Sequence, residues 1–338
     1  MVVAPSDRAQ RATVLPGVPH QAKHDGSLRI CSLVPGATEI VAGLGLIDSL
    51  VGISHECDFP PEAAAIPRVM WTSLSPDLSS KAIDDAVRMA RAQEQPLFSI
   101  DRDALRLAAP ELVITQDLCD ICAMTPKGLT AALQQLPVSP TLLSLAPSTL
   151  ADIWQDIDRV GQAVGRAQEA LTWISTIQRR LVTVRETLQR APTRPRVACL
   201  EWLDPLYVAG HWAPEMVEAA GGIDVLGQAG APSRRIIWDD IVRAAPDVVI
   251  VMPCGFSVAR TVTEWTVISS QTGWQQLAAQ CSNRVFAVDA NSYFSRPGPR
   301  LIEGIELLAQ LLHPELTWDL PPSPSIAATR LTPAPIAR

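Results

Sequence analysis

The sequence predicts an α/β protein: two lobes with mostly parallel sheets, joined by one long backbone helix. Three observations carry this. Short apolar runs alternate with helical patterns through both halves of the 338 residues. A central stretch keeps helical periodicity for about forty residues. The two halves also echo one another on either side of that stretch. The length suits two lobes of roughly 100–200 residues each.

The elements follow in order. Residues 1–27 form a polar leader without periodicity, read as disordered. Arg29–Val34 (RICSLV) is a strand stopped by Pro35-Gly36, and Thr38–Leu46 is a helix. Val51–Ser54, Glu111–Thr115 and Thr141–Leu145 are further strands of a first lobe spanning 28–148. Next, apolar residues fall at Ile153, Ile157, Val160, Val164, Leu171, Ile174, Ile177, Leu181, Val184 and Leu188. Those steps trace one helix face. Ser148 or Thr149 can cap its start, and Pro192 and Pro195 stop it. A helix of about 40 residues is about 60 Å long, so 149–191 is read as a rigid strut between the lobes. Gly161-x-x-x-Gly165 within it permits close packing against a lobe.

The second lobe, 192–316, resumes the alternation. Arg196–Trp202, Val248–Met252 and Arg284–Val288 are strands. Pro214–Ala220 starts a helix ended by Gly221-Gly222, and Pro299–Leu312 is a closing helix. Residues 317–338 are Pro-rich and read as a disordered tail. The echo lies in RLAAPELVIT (Arg106–Thr115) against RAAPDVVIV (Arg243–Val251), and in RICSL (Arg29–Leu33) against RVACL (Arg196–Leu200).

Composition excludes several function classes. The net charge is −7 and no Lys/Arg run interrupts it, so a nucleic-acid footprint is absent. No apolar run approaches the roughly 18 residues of a membrane span, which argues against membrane insertion. Seven cysteines are an odd number and too sparse for a disulfide framework. With no uninterrupted apolar h-region in the leader, the expectation is a cytoplasmic protein with reduced thiols. A start site placed elsewhere would allow a periplasmic one instead.

Parallel sheets hold ligands at the carboxyl ends of their strands. There the sequence places Pro35–Thr38, then His55, Glu56, Cys57 and Asp58, then Gln116, Asp117, Cys119, Asp120 and Cys122. In the second half it places Asp204, Tyr207, His211 and Trp212, then Cys254, Gly255 and Phe256, then Asn291, Tyr293, Phe294 and Arg296. Soft metal ligands, aromatics and glycines recur. There is no P-loop, no Gly-x-Ser-x-Gly elbow, and His55-Glu56 lacks the second His of a zinc protease helix. Gly43-Leu44-Gly45 follows a helix rather than a strand, unlike a dinucleotide fingerprint.

SLVPGATEIVAGLGLIDSLVGISHECDFPPEA (Ser32–Ala63) resembles the opening of the helical-backbone (class III) substrate-binding proteins of ABC transporters, closest to the vitamin B12-binding branch. The shared features are the Pro-x-x-Thr-Glu turn into a helix, Val-Gly-x-Ser, and Asp-aromatic-Pro-Pro. The resemblance continues through PELVIT, the strut, PSRRIIWDDIVRAAPDVVIV and YFSRPGPRLIEGIELLAQLL, from about Arg29 to His313. It implies two Rossmann-like lobes and a non-enzymatic binding protein. Its small-molecule ligand would be a corrinoid such as cobalamin, held in an aromatic cleft between the lobes. The matching positions are Pro35, Gly36, Ala37, Thr38, Glu56, Trp71, Gln116, Tyr293, Phe294 and Arg296. Glu56 and Gln116 stand where that family has aromatics. Trp202, His211, Trp212 and Phe256 add surface from the second lobe.

The resemblance also implies one exposed acid per lobe docking onto an ABC permease. Asp103 and Asp239 match, each seven residues before the Pro of the repeated Ala-Ala-Pro. A carboxylate there equally suits a helix start. The charged segment Ser79–Arg102 looks inserted close to Asp103, where it could block docking.

The Cys/His set departs from the vitamin-binding pattern. His55, Cys57, Cys119 and Cys122 make a candidate Cys₃His zinc set, and Cys119 with Cys122 a candidate redox pair. Together with Cys254 these groups suit zinc, iron, haem iron or a corrinoid cobalt. Cys31, Cys199 and Cys281 are read as packing residues. Two alternatives therefore stand beside the corrinoid reading. One is a metal- or haem-binding protein. The other is an enzyme acting on a corrinoid or tetrapyrrole, with Cys57 or Cys119 as nucleophile or ligand.

Overall fold

Runs such as Leu112–Gln116 (LVITQ) and Val248–Val251 (VVIV) lack polar alternation because their strands are covered on both faces. They lie inside two sheets, one in each of two units of the chain. The computed structural model describes residues 28–116, 126–269, 273–274, 277, 281, 284–320 and 327–331. The first unit takes the chain up to Ser73 and Pro96–Ala146; the second takes Leu74–Gln95 and everything from Pro147 onward. The predicted leader, 1–27, falls outside the described residues, as do Cys119 and Cys122.

In the first unit, β1 (Ile30–Ser32), β2 (Leu50–Ser54), β3 (Arg68–Thr72), β5 (Leu112–Gln116) and β6 (Thr141–Leu145) are parallel, and β4 (Phe98–Ile100) runs antiparallel to β3. The spatial order is β4-β3-β2-β1-β5-β6. Helix α1 (Pro35–Gly43) opens three residues before the expected Thr38, because Pro35 has the fixed φ of a first helical residue and needs no N–H there. Helices α2 (Ser80–Ala92), α3 (Arg102–Ala108) and α4 (Pro126–Leu133) complete this half of the sequence.

In the second unit, β7 (Arg196–Leu203) is flanked by β8 (Leu206–Val208) and β11 (Val248–Val251); β9 (Ile223–Asp224) pairs with its start. β10 (Arg234–Arg235) edges β8, and β12 (Val285–Val288) follows β11. β7, β9, β11 and β12 are parallel; β8 and β10 sit antiparallel to their neighbours. Helices α7 (Ala213–Ala219), α8 (Trp238–Ala244), α9 (Val258–Ile268), α10 (Ala290–Tyr293) and α11 (Leu301–Leu312) pack around this sheet.

Three expectations are corrected. The strut is two helices, α5 (Leu150–Ala163) and α6 (Ala167–Leu188), not one. Thr149 starts α5 with a capping box shared with Asp152. Gly165 then ends it with φ +73°, while Arg166 N–H donates to Gly161 O at 2.7 Å and Gly165 N–H to Gln162 O at 3.3 Å. That is a Schellman stop, available because glycine tolerates the left-handed region. Gly161 indeed permits close packing, but against Ala170 of α6 rather than a lobe. Both helices belong to the second unit, and Arg180 of α6 binds Glu306 and Glu303 of α11 at 2.6–2.9 Å. Second, the tail read as disordered contains a strand: β13 (Ala328–Arg330) adds antiparallel to β12, with Ala327 and Leu331 buried. Third, Leu74–Gln95 belongs to the second unit although its sequence lies within the first.

The internal echo has a structural basis. Arg29 donates to Ala108 O and Ala109 O at the end of α3, and Arg196 donates to Ala244 O and Ala245 O at the end of α8. Ala109 and Ala245 both adopt positive φ. The following acids, Glu111 and Asp247, accept from the backbone N–H of the same arginines. Each arginine thus satisfies the orphan carbonyls of a helix while its strand begins. Among the described residues, no helix is long and apolar enough to cross a membrane.

Candidate functional site

Parallel order in the first sheet brings most of the sequence-predicted residues to one edge. Reading across the strand ends gives Trp71 on β3, His55 and Glu56 after β2, Pro35–Thr38 after β1, and Gln116 on β5. Trp71 is 49% exposed, which is rare for so large an apolar side chain. Glu56 is exposed, while His55 and Gln116 are partly buried. Val34 offers no side-chain cap to α1, so its first turn presents backbone N–H groups at this edge. Gly36, Ala37 and Thr38 are buried, however, leaving Pro35 the accessible side chain of the turn. The Thr38 hydroxyl is occupied, donating to Ser32 Oγ at 2.8 Å and approaching Cys57 Sγ at 3.0 Å.

The second unit agrees only in part. Trp202 ends β7, Cys254 follows β11, and Tyr293 follows β12; all three are partly accessible at the C-terminal ends of parallel strands. Phe256, Phe294 and Trp212, expected as contact surface, are 1%, 2% and 5% exposed. They are core residues. Trp212 donates its indole N–H to Phe294 O at 2.8 Å, and Arg260 covers the Phe256 ring. Arg296 is also buried and donates to Asn291 Oδ1 at 2.9 Å, so its guanidinium faces inward. His211 and Trp212 follow β8, which is antiparallel; the chain leaves beside Cys199, in the middle of β7, rather than at its end. Burial depresses the His211 pKa, and its Nδ1 is enclosed without a partner.

The metal set is not assembled by the described residues. No three His, Cys, Asp or Glu side chains among them could share an ion. Cys57 is fully buried beneath Thr38, a packing position. Cys31 beside it has its thiol pKa pushed far up by burial and by Cys57. Burial likewise raises the Cys199 thiol. Cys119 and Cys122 lie outside the described residues. His55 Nδ1 is buried without a partner, lacking the acceptor that normally orients a metal-ligating imidazole.

Sequence reasoning passed over Phe59, which is 40% exposed in the loop after β2. Its signal was present in the Asp-Phe-Pro-Pro motif, which served only as a mark of resemblance. Arg260, Glu264 and Ser80 gave no sequence signal, because their meeting depends on Leu74–Gln95 lying on the second unit.

Residues 30–292 match a family model described as periplasmic binding protein. A vitamin B12-binding protein of Vibrio cholerae is 23% identical over 285 residues, covering 84% of this chain and 88% of that protein. The crystal structure of a periplasmic vitamin B12-binding protein from Vibrio cholerae superposes with TM-score 0.59 at 21% identity, over 84% of this chain and 96% of its own. A periplasmic heme-binding protein from Pseudomonas aeruginosa superposes with TM-score 0.67 at 17% identity, over 90% and 99%. At these identities the two structural likenesses speak for the fold alone.

Proposed function

The chain belongs to the periplasmic binding protein family, whose members are solute-binding proteins rather than enzymes, and from that premise we propose that its solute is a corrinoid such as cobalamin. The observation that carries the reading is Trp71. It is an indole half open to solvent on the edge that also bears His55, Glu56, Pro35 and Gln116. A corrinoid has a broad apolar face and a rim of amides. A flat aromatic suits the face, and backbone N–H groups of the α1 turn, Glu56 and Gln116 suit the rim. The vitamin B12-binding relative, aligned over most of both chains, supports the same ligand. The enzymatic alternative falls with the family.

Calorimetry with cyanocobalamin tests this. Binding is expected, and Trp71→Ala should weaken it at least about tenfold, the usual cost of removing an aromatic anchor. A folded protein giving no heat at high micromolar ligand would sink the proposal. Asp103 and Asp239 are both exposed, at the second position of helices α3 and α8, which the repeated arginines anchor in the same way. We take them as the surface offered to an ABC permease.

A further inference from the structure

Within the first unit, the pairing of β2 with β3 runs on past the end of β2. Ser54 stands opposite Met70, and the next residue, His55, donates its N–H to Met70 O at 3.0 Å. Glu56 and Trp71 each follow one residue beyond that shared hydrogen bond. The Glu56 side chain is 50% exposed and the Trp71 indole is half open. One strand-end edge therefore presents a flat aromatic and a carboxylate as near neighbours.

The loop that carries the carboxylate is held in place. Arg68 donates to Cys57 O at 3.0 Å, Ala63 O at 2.9 Å and Ile66 O at 3.0 Å. Three carbonyls of one loop thus converge on one guanidinium, which is taken up by backbone. Cys57 is fully buried, with the Thr38 hydroxyl at 3.0 Å from its Sγ. Glu56 N–H donates to Ser54 Oγ at 3.1 Å. The backbone on both sides of the Glu56 side chain is fixed, and Asp58, two residues on, is exposed as well.

Charge then decides which rim suits this edge. A carboxylate only accepts hydrogen bonds. A primary amide offers it two N–H donors, and bonds to a charged acceptor are the stronger kind. A carboxylated rim offers no donor and brings like charge towards Glu56 and Asp58. Stacking on an indole favours any flat macrocycle, so discrimination between macrocycles needs a repulsive element beside it.

We propose that Glu56 is the specificity-determining residue of this edge. It admits a macrocycle whose rim is amidated and rejects one whose rim is carboxylated, whether a corrinoid acid or a porphyrin bearing propionates. The inference rests on the corrinoid reading and narrows it to amidated corrinoids. Trp71 supplies contact area whatever the rim, and Glu56 reads the rim.

The test is calorimetry on the full chain with dicyanocobinamide and dicyanocobyrinic acid. Both probes have the corrin ring and lack the nucleotide loop; one rim carries amides, the other carboxylates. The parent should bind the amide probe at least about tenfold more tightly, the scale of one hydrogen bond to a charged group. Glu56→Gln keeps the size and removes the charge, and should reduce that ratio to about threefold or less. Glu56→Lys should bring it to about one or below. Added salt should shrink the parent's ratio, because exposed charges are screened. A ratio unchanged in both variants, with both probes bound, overturns the role of Glu56 and leaves the corrinoid reading standing. So does a parent that binds the two probes equally or prefers the acid. A folded parent that binds neither probe defeats the role together with the corrinoid reading. Should Glu56→Lys fail to fold, Glu56→Gln, an isosteric change at an exposed group, decides alone.

Discussion

At the residue scale, burial rather than identity separates the side chains open at a strand end from those that pack beneath them. The strand-end rule picked out Glu56 and the resemblance picked out Trp71, both of which are exposed, but neither could tell Phe256, Phe294 and Trp212 from surface residues. All are aromatics next to strands; only packing distinguishes them. The same reasoning applies to Asp156 on α5. It is 5% exposed, pairs with Arg159 at 2.7 Å, and has one carboxylate oxygen with no partner. Desolvation outweighs the arginine and lifts its pKa from 3.8 to about 6. The native state therefore holds this proton more tightly than the unfolded chain. Its contribution is complete below the unfolded value and is lost as pH rises through about 6. The shift corresponds to roughly 3 kcal/mol at neutral pH. Asp156→Asn should accordingly raise stability by about 1–2 kcal/mol at pH 7 and by little near pH 4. Urea denaturation at the two pH values checks this; equal effects at both would contradict it.

At the element scale, the sequence made the buried parallel strands legible, because continuous apolar runs ended by Pro or Gly leave few alternatives. β1, β2, β5, β6, β7, β11 and β12 all lie where those runs predict. The short strands β3, β4, β8, β9, β10 and β13 did not show. Arg68–Thr72 and Ala328–Arg330 owe their extended form to the strand beside them rather than to their own composition. Helical periodicity carried through residues 150–188 hid a break. The apolar steps continue across Gly165, whereas the stop is set by a backbone angle that periodicity does not encode. Gly165→Ala places a side chain in open space but in the left-handed region, and should cost about 1 kcal/mol. Gly161→Ala drives a methyl into Ala170 and should cost about 2 kcal/mol or more. Thermal melts of the two variants should rank them in that order.

At the scale of the whole molecule, the repeat explains why two acids 136 residues apart, from 103 to 239, are equivalent. Each follows from one module: a helix, a left-handed alanine, a proline, and an arginine from the neighbouring strand that holds the helix end. Duplication was readable in the sequence because the module repeats its letters. What the acids meet was not, since exposure alone names no partner. Reversing both charges, Asp103→Lys with Asp239→Lys, should leave cyanocobalamin affinity unchanged. It should remove stimulation of the cognate transporter's ATPase in liposomes. Full stimulation by the double variant would show that docking lies elsewhere.

The excursion of Leu74–Gln95 bears on how this protein can be taken apart. A cut after Ala146 would leave the later fragment without the segment that lies on Trp202 and Glu264, and the earlier one carrying it with nothing to hold. Neither unit is contiguous in sequence, so no single break in the chain yields either one whole. During synthesis Ser80 must wait for Glu264, 184 residues later, before its attachment can form. Any gene fusion or split version of this protein inherits that constraint: its two units share one indivisible polypeptide plan.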